Sequence, residues 1–299
     1  MKLSGIDGVI VDWYGRENFR DYATLHRNTT LLLKQCEKLK LKFAICYEDQ
    51  IVPALVAANR IAATERVSHV AKDIQWLNKF WFKSPSYLQL DGKPLLISFG
   101  HSGLSVKEWQ QCFKKLNFLV AYFSQDVKRT DAIGGFGWPS PNEGLSQTER
   151  FLDQSQNWPH AITAAFPRFA DVYGAAKVKK SYPDIPDQKG HTFKYTLGAA
   201  IEAHSKLIQI ATWNDWGEGT QIEPSQEFGY RDLERLQTHR KLFDKSFTPD
   251  SKSLRWPQTI LQLRRNKKAS PADSAKLNAI ANAIRDEDWK TATALMDKL

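Results

Sequence analysis

Short apolar runs alternate along the chain with longer stretches in which apolar residues recur at helical spacing, and the alternation persists almost to residue 245. The runs at 8–14 (GVIVDWY), 42–48 (KFAICYE), 93–100 (KPLLISFG), 118–124 (FLVAYFS), 132–138 (AIGGFGW), 161–168 (AITAAFPR) and 206–215 (KLIQIATWND) are predicted as strands. Continuous apolar character over so few residues belongs to strands covered on both faces. Helices are predicted over 22–39, about 57–81, 105–115, 145–155, 191–204 and 228–245. Strand, helix, strand in this rhythm describes a parallel sheet covered by helices.

Seven strands result, one fewer than a closed (β/α)8 barrel requires. The opening Met1-Lys2-Leu3-Ser4-Gly5 reads as the end of a helix with Gly5 at its C-cap, and it feeds at once into the first predicted strand. The expected fold is therefore α/β, a TIM-type (β/α)8 barrel lacking its first strand, with an open seven-stranded sheet as the alternative. The barrel is expected to occupy 1–245. Residues 246–269, with two prolines and a charge run, read as a linker, and Ser270-Pro271 opens a helical hairpin over 270–299.

Composition changes this picture little. A length of 299 residues, 42% hydrophobic, suits one large domain with a small appendage. The formal charge is +9, but ten Lys and Arg against five Asp and Glu lie in 251–299, with a concentration in LRRNKK at 263–268. That run reads as a solvated connector, and with no RNA-binding aromatic motif or zinc-finger spacing beside it, no nucleic-acid partner is expected. Cys36, Cys46 and Cys112 are odd in number and widely spaced, as buried small hydrophobes are. No apolar run is long enough to span a bilayer, so no membrane partner is expected. Without an apolar leader and cleavage site, the chain at face value stays inside the cell.

The residues just after the predicted strands carry the candidate chemistry, because a parallel barrel opens all its strand C-termini onto one face. They are Asp12, Trp13 and Tyr14; Tyr47, Glu48 and Asp49; His101; Gln125 and Asp126; Trp138; Arg168; and Trp213, Asn214, Asp215, Trp216 and Glu218. Acids and aromatics dominate. Asp215 and Glu218 are three residues apart where the chain leaves its last strand, so both can point into one pocket. Paired carboxyl groups, one protonated and one ionised, are what glycoside hydrolysis uses, and indole rings suit the C–H faces of sugars. Taken singly, each of these residues also has a structural reading as a loop acid, a cap or core packing. Other chemistries find no support: there is no G-x-S-x-G elbow, Walker A loop or H-E-x-x-H pair, and GGFGWPS at 134–140 has Pro139 where a phosphate-binding helix would begin.

TWNDWGEGTQIEP, 212–224, resembles the W-N-E-W-x-E-G-T-x-I-E-P signature of glycoside hydrolase family 99, the endo-α-mannosidases, and more weakly the α-1,3-glucanases of family 71. GIDGVIVDWYG is similar to that family's second barrel strand, FAICYED to its third and DGKPLLISFG to its fourth. The resemblance implies a retaining glycosidase in which the sugar's own 2-hydroxyl attacks C1. It implies Glu218 as the acid that later becomes the base, Asp215 in the −1 sugar site, Glu48 engaging the 2-hydroxyl and Tyr14 contributing to the sugar site. Trp138, Trp213, Asn214 and Trp216 are expected to bind substrate.

Two departures accompany the resemblance. Asp215 is one methylene shorter than the family's Glu, and the family's first strand has no counterpart. A glycan-binding protein that has lost catalysis is therefore the alternative. No metal or organic cofactor is implied, the expected partner is an oligosaccharide or polysaccharide, and a monomer is expected. Relatives of this kind are exported, which would place the protein outside the cytoplasm if an N-terminal segment is missing.

Overall fold

The computed structural model describes residues 1–265 and 270–299, and the chain divides into two compact units. The first comprises Gly8–Ala211 and Gly217–Thr220. It contains strands β1 (Gly8–Trp13), β2 (Lys42–Glu48), β3 (Gln89–Leu90), β4 (Lys93–Phe99), β5 (Ala121–Gln125), β6 (Gly134–Phe136), β7 (His160–Ala165) and β8 (Leu207–Ile210). All but β3 pair in parallel, in the order β1-β2-β4-β5-β6-β7-β8. These seven strands and their alternating helices form a nearly closed barrel of the (β/α)8 TIM type, as the sequence led us to expect. The two-residue β3, antiparallel to β4, is too short for periodicity to reveal.

The helices of this unit are α1 (Tyr22–Leu39), α2 (Ile51–Ala57), α3 (Arg66–Phe80), α4 (Val106–Lys114), α5 (Leu145–Ser155) and α6 (His191–Glu202). The helix expected over 57–81 is a correction, because the chain forms α2 earlier and begins α3 only at Arg66. Asn59 adopts a left-handed φ of 54° between them, which no helix interior tolerates. Strand expectations were also too long: β5 starts at Ala121 and β8 stops at Ile210.

Alternation along the strands fixes what faces where. Ala44 and Cys46 of β2 join Leu95, Ile97, Ala121, Phe123, Phe136 and Ile162 in one buried cluster. Phe43 and Tyr47, of opposite parity, meet Trp81 and Trp109. The cluster is an apolar floor, and the residues that follow it on the same parity reach the strand C-termini.

The second unit comprises Met1–Asp7, Thr212–Trp216 and Gln221–Leu299. It holds α7 (Arg231–Phe243), α8 (Trp256–Arg265), α9 (Pro271–Arg285) and α10 (Trp289–Met296). The opening segment forms a single 3-10 turn, Lys2–Ser4, ended by Gly5 at φ 80°. Gln237 Nε2 donates 2.6 Å to the Leu3 carbonyl, tying that turn to α7. Ser270 caps α9 by accepting from the Asp273 N–H at 3.1 Å, with Pro271 in the first turn. Ile260, Leu277 and Ile280 form the core shared by α8 and α9, with Leu295 and Met296 of α10 against it. Within 246–269, read from sequence as a linker, α8 is helical, and residues 266–269, which end the charge run, lie outside the described residues.

Candidate active site

Parallel register sets Asp12 beside Cys46 and Trp13 beside Tyr47. Trp13 and Tyr47 take the outward parity and are fully buried under the helices. The Trp13 indole stacks on Trp76 at 6.3 Å and donates to His26 Nδ1 at 3.2 Å, so this rim position is core packing. Asp12 and Glu48 take the inward parity, above Cys46 and the apolar floor.

Glu48 is 7% exposed. Burial first, then the negative charge of Asp12, lifts its carboxyl to about 8, with Asp49 and Glu218 adding to the rise. A 3.3 Å hydrogen bond from Gln50 Nε2 opposes it without cancelling it. Glu48 therefore carries a proton at neutral pH. Tyr14 shares this surrounding: burial and then Glu48 and Asp12 push its phenol well up, while its ring stacks on Tyr22 at 5.1 Å. Cys46, fully enclosed beneath, is raised by burial and then by Asp12 and Glu48, so its thiol stays neutral.

Asp49 has a different task. Its Oδ2 accepts from the Leu104 N–H at 3.0 Å and from Trp109 Nε1 at 2.9 Å, which pins the segment after β4 to the end of β2. Burial outweighs those bonds and raises it to about 6.

Glu218 reaches the barrel unit by a second route. The segment after β7 runs beside it, with the Ala170 N–H donating to the Glu218 carbonyl at 2.8 Å and the Val172 N–H to the Gly217 carbonyl at 3.0 Å. Gly219 sits at φ 67°, and a Cβ there would stand 2.7 Å from the Ala170 carbonyl oxygen, so only glycine lets the two strands of chain approach. Tyr173 Oη donates to Glu218 Oε1 at 2.8 Å. Sequence reasoning missed Tyr173, because an aromatic within a long loop carries no periodic signal.

Tyr14, Glu48 and Glu218 are thus brought together around the barrel's C-terminal rim. Trp138 follows β6 in the same unit and sets its ring edge-on to Phe99 at 5.1 Å, partly buried between two apolar clusters. Trp213, Asn214, Asp215 and Trp216 belong to the other compact unit. There the Asp215 N–H donates to Thr212 Oγ1 at 2.9 Å and Trp216 Nε1 to Glu223 Oε2 at 3.2 Å. Trp216 is 49% exposed. At two other rim positions, Arg168 pairs with Asp187 at 3.3 Å and His101 stands 3.6 Å from Asp126. Among the described residues no group of three or more His, Cys, Asp or Glu could hold a metal ion. A cleft of about 480 Å³ lies at the opposite end of β7 and β8, by His160 and Lys206, away from these acids.

A carboxyl group kept neutral by burial, close enough to a second carboxylate to feel that group's charge, is equipped for acid–base chemistry on an acetal. Comparison with solved structures agrees on the architecture. The endo-α-mannosidase of glycoside hydrolase family 99 from Bacteroides thetaiotaomicron, in complex with bis-tris-propane, is similar with a TM-score of 0.57 and 16% identity, over 80% of this chain and 82% of that one. A second structure of that enzyme gives 0.54 and 16%, over 82% and 76%. A glycoside hydrolase-like protein gives 0.57 and 13%, over 79% and 82%. No protein-family model matches the sequence, and no curated protein matches it. The fold is shared with these glycoside hydrolase structures.

Proposed function

We propose that this protein is a retaining glycoside hydrolase of the endo-α-mannosidase type, acting on α-linked glycans. Glu218 protonates the leaving oxygen while the sugar's 2-hydroxyl, giving up its proton to a carboxylate, attacks C1 and forms a 1,2-anhydro sugar. Glu218, now ionised, takes a proton from water, which opens that ring at C1 while the carboxyl protonated in the first step returns its proton to the sugar's 2-oxygen. Two inversions give net retention. Glu48 engages the 2-hydroxyl, Asp215 completes the −1 sugar site, and Tyr14, Trp138, Trp213, Asn214 and Trp216 hold the substrate.

The supporting observation is the raised Glu48 carboxyl with Glu218 among the charges that raise it. Two acids contributed by segments 170 residues apart in the chain gain nothing structurally from such proximity, since like charges repel and burial is costly. A functional site explains the arrangement.

The test is hydrolysis of α-mannan and α-gluco-oligosaccharides, with the first-formed anomer followed by proton NMR. The expected result is a retained anomer and a loss of at least about a hundredfold in Glu218→Gln, the size of a general-acid contribution. Turnover unaffected by that change would overturn the assignment. The shorter Asp215 favours a second reading, a glycan-binding protein without catalysis, which binding without turnover would support.

A further inference from the structure

We infer that Tyr173 is a positioning residue for proton delivery by Glu218, held in place by its own loop. The inference rests on the acid–base role proposed above for Glu218 and names a residue which that role requires.

The loop between β7 and α6 is built as a frame. Its two ends are joined where Phe169 and Ile185 exchange backbone hydrogen bonds of 2.9 Å in both directions, and Arg168 fastens to Asp187 beside that junction. One flank is laced to 217–218 by the Ala170 and Val172 N–H groups. Asp171 then accepts from the Tyr173 N–H at 2.9 Å and the Tyr182 N–H at 2.8 Å, folding the loop's tip back on itself. Lys179 places its ammonium 4.2 Å from the Tyr173 ring centre and 4.5 Å from that of Tyr182, and donates to Tyr182 Oη at 3.2 Å. The phenol is therefore fixed in both backbone and ring before it meets Glu218.

What the frame fixes is a direction. Tyr173 Oη donates to Oε1 of Glu218, so Oε1 serves as acceptor and the proton that Glu218 delivers is carried on Oε2. A carboxylic acid free to rotate would present either oxygen to the leaving group, and a misplacement of about 1 Å in such a transfer costs about a hundredfold. The charged and titratable groups set against Glu218 within the barrel unit include Glu48, whose carboxyl feels its charge, and Tyr173, with Lys179 beyond the phenol ring.

Tyr173→Phe removes the donor and keeps the ring between Lys179 and the loop. The experiment compares it with the wild-type protein on two substrates: an unactivated α-mannan oligosaccharide, whose leaving group needs a proton, and an aryl α-glycoside with an acidic phenol, which does not. The expected result is a loss of about ten- to a hundredfold in kcat on the oligosaccharide, little change in KM, and a loss of less than about threefold on the aryl glycoside. Equal losses on both would mean a structural role and would overturn the inference. Should the wild-type protein turn over neither substrate, the functional proposal fails by itself. The inference is then judged by carbon-13 NMR titration of labelled glutamate, with the Glu218 signal assigned through Glu218→Gln. Loss of one donor to an ionised acceptor is expected to move that signal's midpoint upward by about one pH unit in Tyr173→Phe. An unmoved midpoint overturns the inference.

Discussion

Tyr47 Oη donates a 3.0 Å hydrogen bond to Asp73 Oδ2, so the residue just before Glu48 is anchored outward on α3 while Glu48 turns inward. Asp73 is 1% exposed and also accepts from Arg16 Nε at 2.8 Å, which draws in the segment that follows β1 and carries Tyr14. Gly15, at φ 78°, lets that segment pass, since a Cβ there would stand 2.6 Å from Asp73 Oδ2. One carboxylate on a helix thus sets the ends of two neighbouring strands. Asp73→Ala is expected to destabilise the protein by about 2–4 kcal/mol, through a buried phenol and a guanidinium left without their acceptor. The midpoint of urea denaturation measures it, and a change below about 0.5 kcal/mol would refute the anchoring role.

Glu48 makes stability depend on pH with a defined sign. Its folded value of about 8 lies above the unfolded reference of 4.5, so between these values the folded state holds a proton that the unfolded chain has released. Stability then falls as pH rises from about 4.5 to about 8, and is flat in this respect on either side. Glu48→Gln abolishes the dependence and is expected to stabilise the protein by a few kcal/mol at about pH 8. Urea titrations of both proteins at about pH 5 and pH 8 would show the two curves converging at the lower pH.

The same group shapes catalysis. If Glu48 must be ionised to engage the 2-hydroxyl, kcat/KM rises with pH along a limb whose midpoint is near 8. Shortening the site with Glu48→Asp leaves a limb but lowers its plateau. A rate that falls through this range would instead make Glu48 the proton donor and exchange the roles of the two acids.

Gly103 lies against Asp49, and a Cβ at that position would come within 2.0 Å of Asp49 Oδ1. Gly103→Ala must push apart the β2 end and the segment that Asp49 pins. A cost of about 1–3 kcal/mol is expected, of the size that overpacking a closed interior imposes. Thermal denaturation measures it, and a Tm equal to that of the wild-type protein would show that the Leu104 and Trp109 anchors do not constrain this segment.

Much of the fold was legible because burial writes itself into short apolar runs. Ile45, Leu96 and Phe123 sit in strands with both faces covered, so their runs lack polar interruption and mark β2, β4 and β5. The parts that were misread depend on local conformation that composition hides, such as the left-handed Asn59 that separates α2 from α3. At the site, Glu48, Tyr14 and Glu218 were named from their place after strands and from the family likeness. Trp13, with the same credentials, is core packing, because one residue of parity turns it toward Trp76.

The amino-acid sequence by itself determined the order of the seven parallel strands, the helices that alternate with most of them, and which acids could stand at the strand ends, since these follow from hydrophobic spacing along the chain. Only the tertiary structure decided that Glu48 holds a proton and that Tyr173 meets Glu218. Desolvation and the charges of Asp12, Asp49 and Glu218 act through space, and the Tyr173 bond joins residues 45 apart in sequence, so neither leaves a local pattern to read.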